Sequence, residues 1–188
     1  QMGALSMGIS EDELQPLVDA WRLANPNITK LWWSVGKAAK KVVRGEKPHE
    51  KTHGIIFSCE SDYMFIELPS GRKLAYVQPR IGINRLGHES VTYMGVDSTS
   101  KKWQLIETYG PKLVENIIQA ISRDILAEAM LRLRKYPIVM SVHDEIVFEC
   151  GSSVTLEYLS REMSRTPTWA DGLQLGAEGF TCSFYQKD

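Results

Sequence analysis

The chain has no apolar run of membrane-spanning length and no segment with the character of a secretory leader. It has only three cysteines, Cys59, Cys150 and Cys182, an odd set without Cys-x-x-Cys spacing. That set argues against a zinc knot and a disulfide scaffold, and for reduced thiols in a cytosolic compartment. Net charge is nearly absent: the formal value is -1, so the chain as a whole is no polycation and any nucleic-acid contact has to come from a local patch. Low-complexity linkers and internal repeats are missing too. What is present is a globular composition, 43% hydrophobic and 24% charged over 188 residues, ample for one domain or two small ones.

Ser10 and Glu13 have capping-box spacing, and Leu14, Leu17, Val18 and Trp21 continue at helical spacing to about Ala24. Pro26 suits the first turn of a second helix, whose apolar face is Ile28, Leu31, Trp32, Val35, Ala39 and Val42, up to Gly45. On that helix Lys30, Lys37, Lys41 and Arg44 form a basic stripe that either tracks a phosphate backbone or is simply solvated. From His53 to Gln78 the period switches to two and predicts a meander, with Pro69-Ser70-Gly71 as the turn before Arg72-Lys73. A further hairpin is expected from Val91–Val96 and Lys102–Glu107, joined by Asp97-Ser98-Thr99-Ser100.

Tyr109 to Lys135 is the longest helical signal, with apolar residues covering most of its circumference. On its remaining face Lys112, Asn116, Gln119 and Arg123 fall at i, i+4, i+7 and i+11. Such a stripe can hydrogen-bond base edges and sugars along a groove, or stand in water as an ordinary polar face. Ile138–Glu149 reads as two buried strands joined by a tight turn carrying His143-Asp144-Glu145. Adjacent carboxylates at the end of buried strands repel each other and resist desolvation, so a divalent cation is one way to hold them; a charged turn in water is the other reading. Ser152 to Arg165 is expected to form a helix, Thr166-Pro167-Thr168-Trp169 a loop, and Leu173 to Tyr185 a closing strand.

The succession Gly71-Arg72-Lys73-Leu74, the long helix with Gln119 and Ala127-Glu128-Ala129-Met130, then Val142-His143-Asp144-Glu145, resembles family A DNA polymerases of the bacterial polymerase I and phage type. The match is collinear over nearly the whole chain, and the ending Gly179-Phe180 to Phe184-Tyr185 is similar to the end of a phage-type member. The resemblance implies an α+β fold: an antiparallel-sheet palm packed with helices over residues 53–188, with the motif hairpin at 138–149, and a helical hairpin from the rear of the fingers over 1–52. It also implies template-directed nucleotidyl transfer with two Mg²⁺ ions, on primer-template DNA and dNTPs, in the cytoplasm of a bacterium or phage-infected host.

Residue by residue, Asp144 corresponds to the family's metal-binding catalytic aspartate and Glu145 to its acidic neighbour. His143 would meet the primer strand, and Asn116 and Gln119 the minor groove, with Lys112, Arg123, Arg72 and Lys73 as further DNA contacts. Lys112 stands where many relatives have arginine, Asn116 and Gln119 lie one residue closer than in the bacterial enzyme, and the hairpin around Tyr93-Met94-Gly95 resembles an insertion.

Two family motifs are not found. Asp62-Tyr63-Met64-Phe65-Ile66-Glu67-Leu68-Pro69 resembles the first motif but lies too late in the order, and Met64 and Pro69 replace its serine and arginine. The Arg-x-x-x-Lys helix of the second motif is absent. The expectation is therefore part of a polymerase whose N-terminal portion is missing, inactive alone and with weak or no Mg²⁺ binding. A non-catalytic nucleic-acid-binding module and a metal-dependent nuclease are the competing readings.

Overall fold

A computed structural model describes residues 6–84, 87–151 and 153–186. Six strands, β1 (His49–Thr52), β2 (Ile55–Glu60), β3 (Tyr63–Glu67), β4 (Lys73–Ile83), β5 (Glu89–Val96) and β6 (Trp103–Thr108), form an antiparallel sheet in sequence order. Helices α1 (Glu11–Ala24) and α2 (Pro26–Val43) precede it. Helix α3 (Gly110–Leu133) follows it, then the hairpin of β7 (Ile138–Val142) and β8 (Glu145–Phe148), and helix α4 (Leu156–Met163). The fold is α+β, as expected. Two compact units are distinguished, Gln1–Glu67 with Lys73–Glu115, and Leu68–Arg72 with Asn116–Asp188.

In the first unit the capping box forms: Glu13 Oε2 accepts from Ser10 N at 3.0 Å and from Ser10 Oγ at 2.6 Å, which fixes the start of α1. Pro26 opens α2, where the missing N–H has no helical partner to lose. Val35, Ala38, Ala39 and Val42 are buried on one face of α2, which packs across the sheet near Phe57, Met64 and Ile66. Helices α1 and α2 thus share their unit with the sheet, and residues 49–52, expected with the helical hairpin, are strand β1. Helix α1 has no buried residue, and its main aromatic contact is Trp21 stacked on Trp32 at 5.4 Å.

Gly36 and Gly110 let α2 meet the start of α3 backbone to backbone; a Cβ on Gly110 would stand 2.1 Å from the Trp32 carbonyl oxygen. The predicted meander and the 91–107 hairpin are present, and Asp97 accepts from Thr99 N and Ser100 N at the hairpin's connection. Strand β4 runs further than the period indicated because a bulge between Val77 and Arg80, with Gln78 at φ 47°, absorbs Pro79, whose missing N–H breaks a regular ladder.

In the second unit, buried Ile117, Leu126, Ala129 and Leu133 form the inner row of α3. Ile118 and Leu131 are exposed, so the apolar cover of that helix is narrower than expected. Arg132 Nη2 donates to the carbonyls of Glu162 (3.0 Å) and Arg165 (2.9 Å), satisfying groups at the end of α4. Thr155 caps α4 through Tyr158 N, so the helix is shorter than the predicted Ser152–Arg165 segment; Ser152 itself lies outside the described residues.

The predicted closing strand from Leu173 to Tyr185 is not a strand. A strand exists only through a neighbour's ladder, and no described strand pairs with this segment, which Gly176 and Gly179 interrupt.

Candidate functional site

The acidic hairpin closes in a tight turn in the second unit. Val142 pairs with Glu145, leaving His143 and Asp144 as a two-residue loop. His143 has φ 53°, a left-handed conformation that histidine adopts more readily than most non-glycine residues. His143, Asp144 and Glu145 are all exposed. The strands behind them are less buried than their sequence implied: no residue of β7 or β8 is fully buried, and Val139 is 55% exposed. Two strands alone have one neighbour each, so an apolar composition cannot by itself enclose them. A register irregularity between Ile138 and Met140 bends the first strand.

Glu145 is held from the C-terminal segment: the Tyr185 hydroxyl donates to its Oε2 at 3.2 Å. Partial removal from water, and secondarily the adjacent carboxylate, push the Tyr185 phenol above its ordinary value, so it stays protonated and donating at neutral pH. Nothing in the sequence marked Tyr185 as a neighbour of the acid pair, since the contact spans 40 residues.

Arg72 lies in the same unit. Its Nε donates to Asp124 Oδ1 at 2.5 Å and its Nη2 to the Ala120 carbonyl at 2.8 Å, while Ser70 Oγ donates to Asp124 Oδ2 at 2.6 Å. The Gly71 turn is therefore fastened to the stretch of α3 that carries Gln119 and Arg123, both exposed. Of the five guanidinium N–H groups, Nε and one on Nη2 are used, which leaves three for another acceptor.

The remaining sequence-selected residues are distributed differently. Asn116 follows in the second unit's part of α3, whereas Lys112 and Lys73 belong to the first unit. Lys112 is paired with Glu115 at 3.0 Å, and Lys73 with Glu67 at 3.6 Å while lying over the Phe65 ring. The basic stripe of α2 is half neutralised: Lys41 binds Glu50 at 2.6 Å, and Arg44 pairs with Glu46 and Glu89. Lys30 and Lys37 are its exposed, unpaired members among the described residues. Asp62, the first-motif look-alike, sits in the β2–β3 turn of the first unit, its carbonyl accepting from Gln78 N at 2.6 Å.

A Mg²⁺ ion takes hard oxygen ligands in near-octahedral geometry. Asp144 and Glu145 offer oxygens of the right kind, but among the described residues no three His, Cys, Asp or Glu side chains converge. The donor set in this chain is partial and does not by itself fit a complete ion site.

The chain is 46% identical over 192 aligned residues to the DNA polymerase of Bacillus phage SP02, a match covering 100% of this chain and 30% of that protein. The chain thus spans about a third of the length of the curated relative it matches. No protein-family model matches the chain, and no solved structure matches it. No helix among the described residues is long and apolar enough to cross a membrane.

Proposed function

We propose that the chain works as one part of a DNA-directed DNA polymerase of family A, supplying the acidic hairpin and a DNA-facing helix of the palm. The observation that carries this is the 46% identity to a protein named DNA polymerase, which runs through the whole chain and therefore through the hairpin. The exposed His143-Asp144-Glu145 turn supports it, because carboxylates presented in water remain free to take a cation. In this reading Asp144 would hold Mg²⁺ only together with further oxygen ligands from the rest of the polypeptide, while Glu145 keeps the hydrogen bond from Tyr185 on the acidic side of the turn. The ions, when bound, would stabilise the charge that develops in phosphoryl transfer. In the second unit Arg72, Gln119, Asn116 and Arg123 position the duplex, with His143 toward the primer end; in the first unit Lys112 and Lys73 are the candidate DNA contacts.

The 188-residue chain alone is inactive in primer extension with Mg²⁺, since the partial donor set cannot hold the reacting groups. Extension by the isolated chain would overturn that part. Within the longer polypeptide, Asp144→Ala lowers extension by roughly two to three orders of magnitude and leaves the salt dependence of DNA binding unchanged. Full extension by that variant would remove Asp144 from the chemistry and favour a binding module without catalysis.

A further inference from the structure

Among the described residues no strand pairs with the outer side of β6, the last strand of the six-stranded sheet. Within the β5–β6 hairpin the Lys102 carbonyl accepts from Asp97 N at 2.9 Å, so it points toward β5. Strand alternation then turns the backbone N–H and C=O groups of Trp103, Leu105 and Glu107 outward, along the open edge. The same residues carry the exposed side chains: Trp103 is 58% and Leu105 57% exposed, and Val96, cross-strand from Trp103, is 59% exposed. Edge strands are ordinarily blunted by an inward charge, a proline or a covering segment. Between Trp103 and Ile106 this edge has none of the charged or proline residues that would do so.

We infer that β6 pairs antiparallel with β6 of a second copy of this chain, around a two-fold axis at Gln104. A two-fold axis normal to the sheet keeps each face matched with itself, so paired residues must be separated by an even number. Centred on Gln104, the register sets Trp103 opposite Leu105 of the partner and Leu105 opposite its Trp103, closing four exposed apolar side chains into one cross-strand cluster. It also sets Glu107 of each copy against the Lys101-Lys102 turn of the other. Glu107, Lys101 and Lys102 are exposed, and none is in an ion pair among the described residues. Centring on Leu105 instead would oppose Trp103 with Glu107 and leave the lysines without an acid, so charge selects the first register. The outward N–H and C=O groups of Trp103 and Leu105 then bond across the axis, extending one sheet through both copies.

The contact is short, and an interface of this size associates weakly, with dimerisation expected on the order of micromolar to millimolar chain. Sedimentation equilibrium of the 188-residue chain over that range should show the mass rising from one chain toward two. Leu105→Pro removes an outward N–H and an apolar contact without touching the ladder to β5, and should weaken association by at least about tenfold while the circular-dichroism spectrum is kept. Glu107→Lys should do the same by gathering like charges. The triple variant Lys101→Glu, Lys102→Glu, Glu107→Lys should restore dimerisation, a recovery that loss of fold cannot imitate. A chain that stays monomeric throughout, or a dimer that Glu107→Lys leaves unchanged, overturns the inference; the latter would place association on another face, such as the exposed apolar side of α1.

Discussion

Asp124 is the anchor that joins the Gly71 turn to α3, and its removal has a calculable effect. Its side chain is 11% exposed and receives two hydrogen bonds, from Ser70 Oγ and from Arg72 Nε. The hydroxyl bond contributes about 1 kcal/mol net. The charged bond would contribute up to about 3 kcal/mol if buried, but Arg72 is 45% exposed, and solvent screening brings it nearer to about 1 kcal/mol. Asp124→Ala should therefore cost about 2 kcal/mol, or roughly 4–8 °C of melting temperature for a chain of this size. Asp124→Asn keeps an acceptor for Ser70 and should lose about half of that. Chemical denaturation of the single variants and of Asp124→Ala with Arg72→Met gives the coupling directly; the cycle should return about 1 kcal/mol. A loss under about 0.5 kcal/mol for Asp124→Ala, or a cycle that closes to zero, would show that the knot holds nothing, and that Arg72 is free for DNA in the unbound chain.

Gly110→Ala forces a methyl group to 2.1 Å from the Trp32 carbonyl oxygen, which belongs to backbone and cannot swing aside. The variant should lose about 1–3 kcal/mol in denaturant unfolding, whereas Gly176→Ala, with nothing within 4 Å, should stay within about 0.5 kcal/mol. Tyr185 carries the pH prediction. Its phenol is raised in the folded chain, so its stabilising bond to Glu145 is fully present below the ordinary tyrosine value of about 10 and is lost as pH rises through the folded value. In an alkaline absorbance titration, Tyr185→Phe should remove one late-ionising tyrosine; a difference curve centred at the ordinary value would refute the contact.

Local chemistry explains which elements were legible in the sequence. Ser10 with Glu13, Pro26, and the polar connection Asp97–Ser100 each satisfy backbone groups within a few residues of themselves, and each appears where its spacing put it. Strand β1 was missed because His49-Glu50-Lys51-Thr52 has no apolar alternation; its pairing with β2 makes it a strand. The segment after Leu173 fails in the opposite sense, having strand-like residues and no partner among the described strands. At the candidate site, the Asp144-Glu145 turn was legible because a hairpin loop is a local object. Asp124 beneath Arg72 and Tyr185 beside Glu145 were not, since 52 and 40 residues separate those pairs.

That contrast bears on how the acid pair is held. A functional carboxylate must keep its position to within a fraction of an ångström, and rigidity of that kind comes from surrounding packing and hydrogen bonds. Here the turn stands on two half-exposed strands, with one side-chain hydrogen bond from Tyr185 as its brace. The carboxylates lie in water, where their mutual repulsion is screened. The same exposure leaves the exposed side chains of Val139 and Met140, like the oxygens of Asp144, open to further contacts. A two-stranded hairpin is marginal by itself, so the packing that rigidifies this one has to come from elements beyond its own two strands.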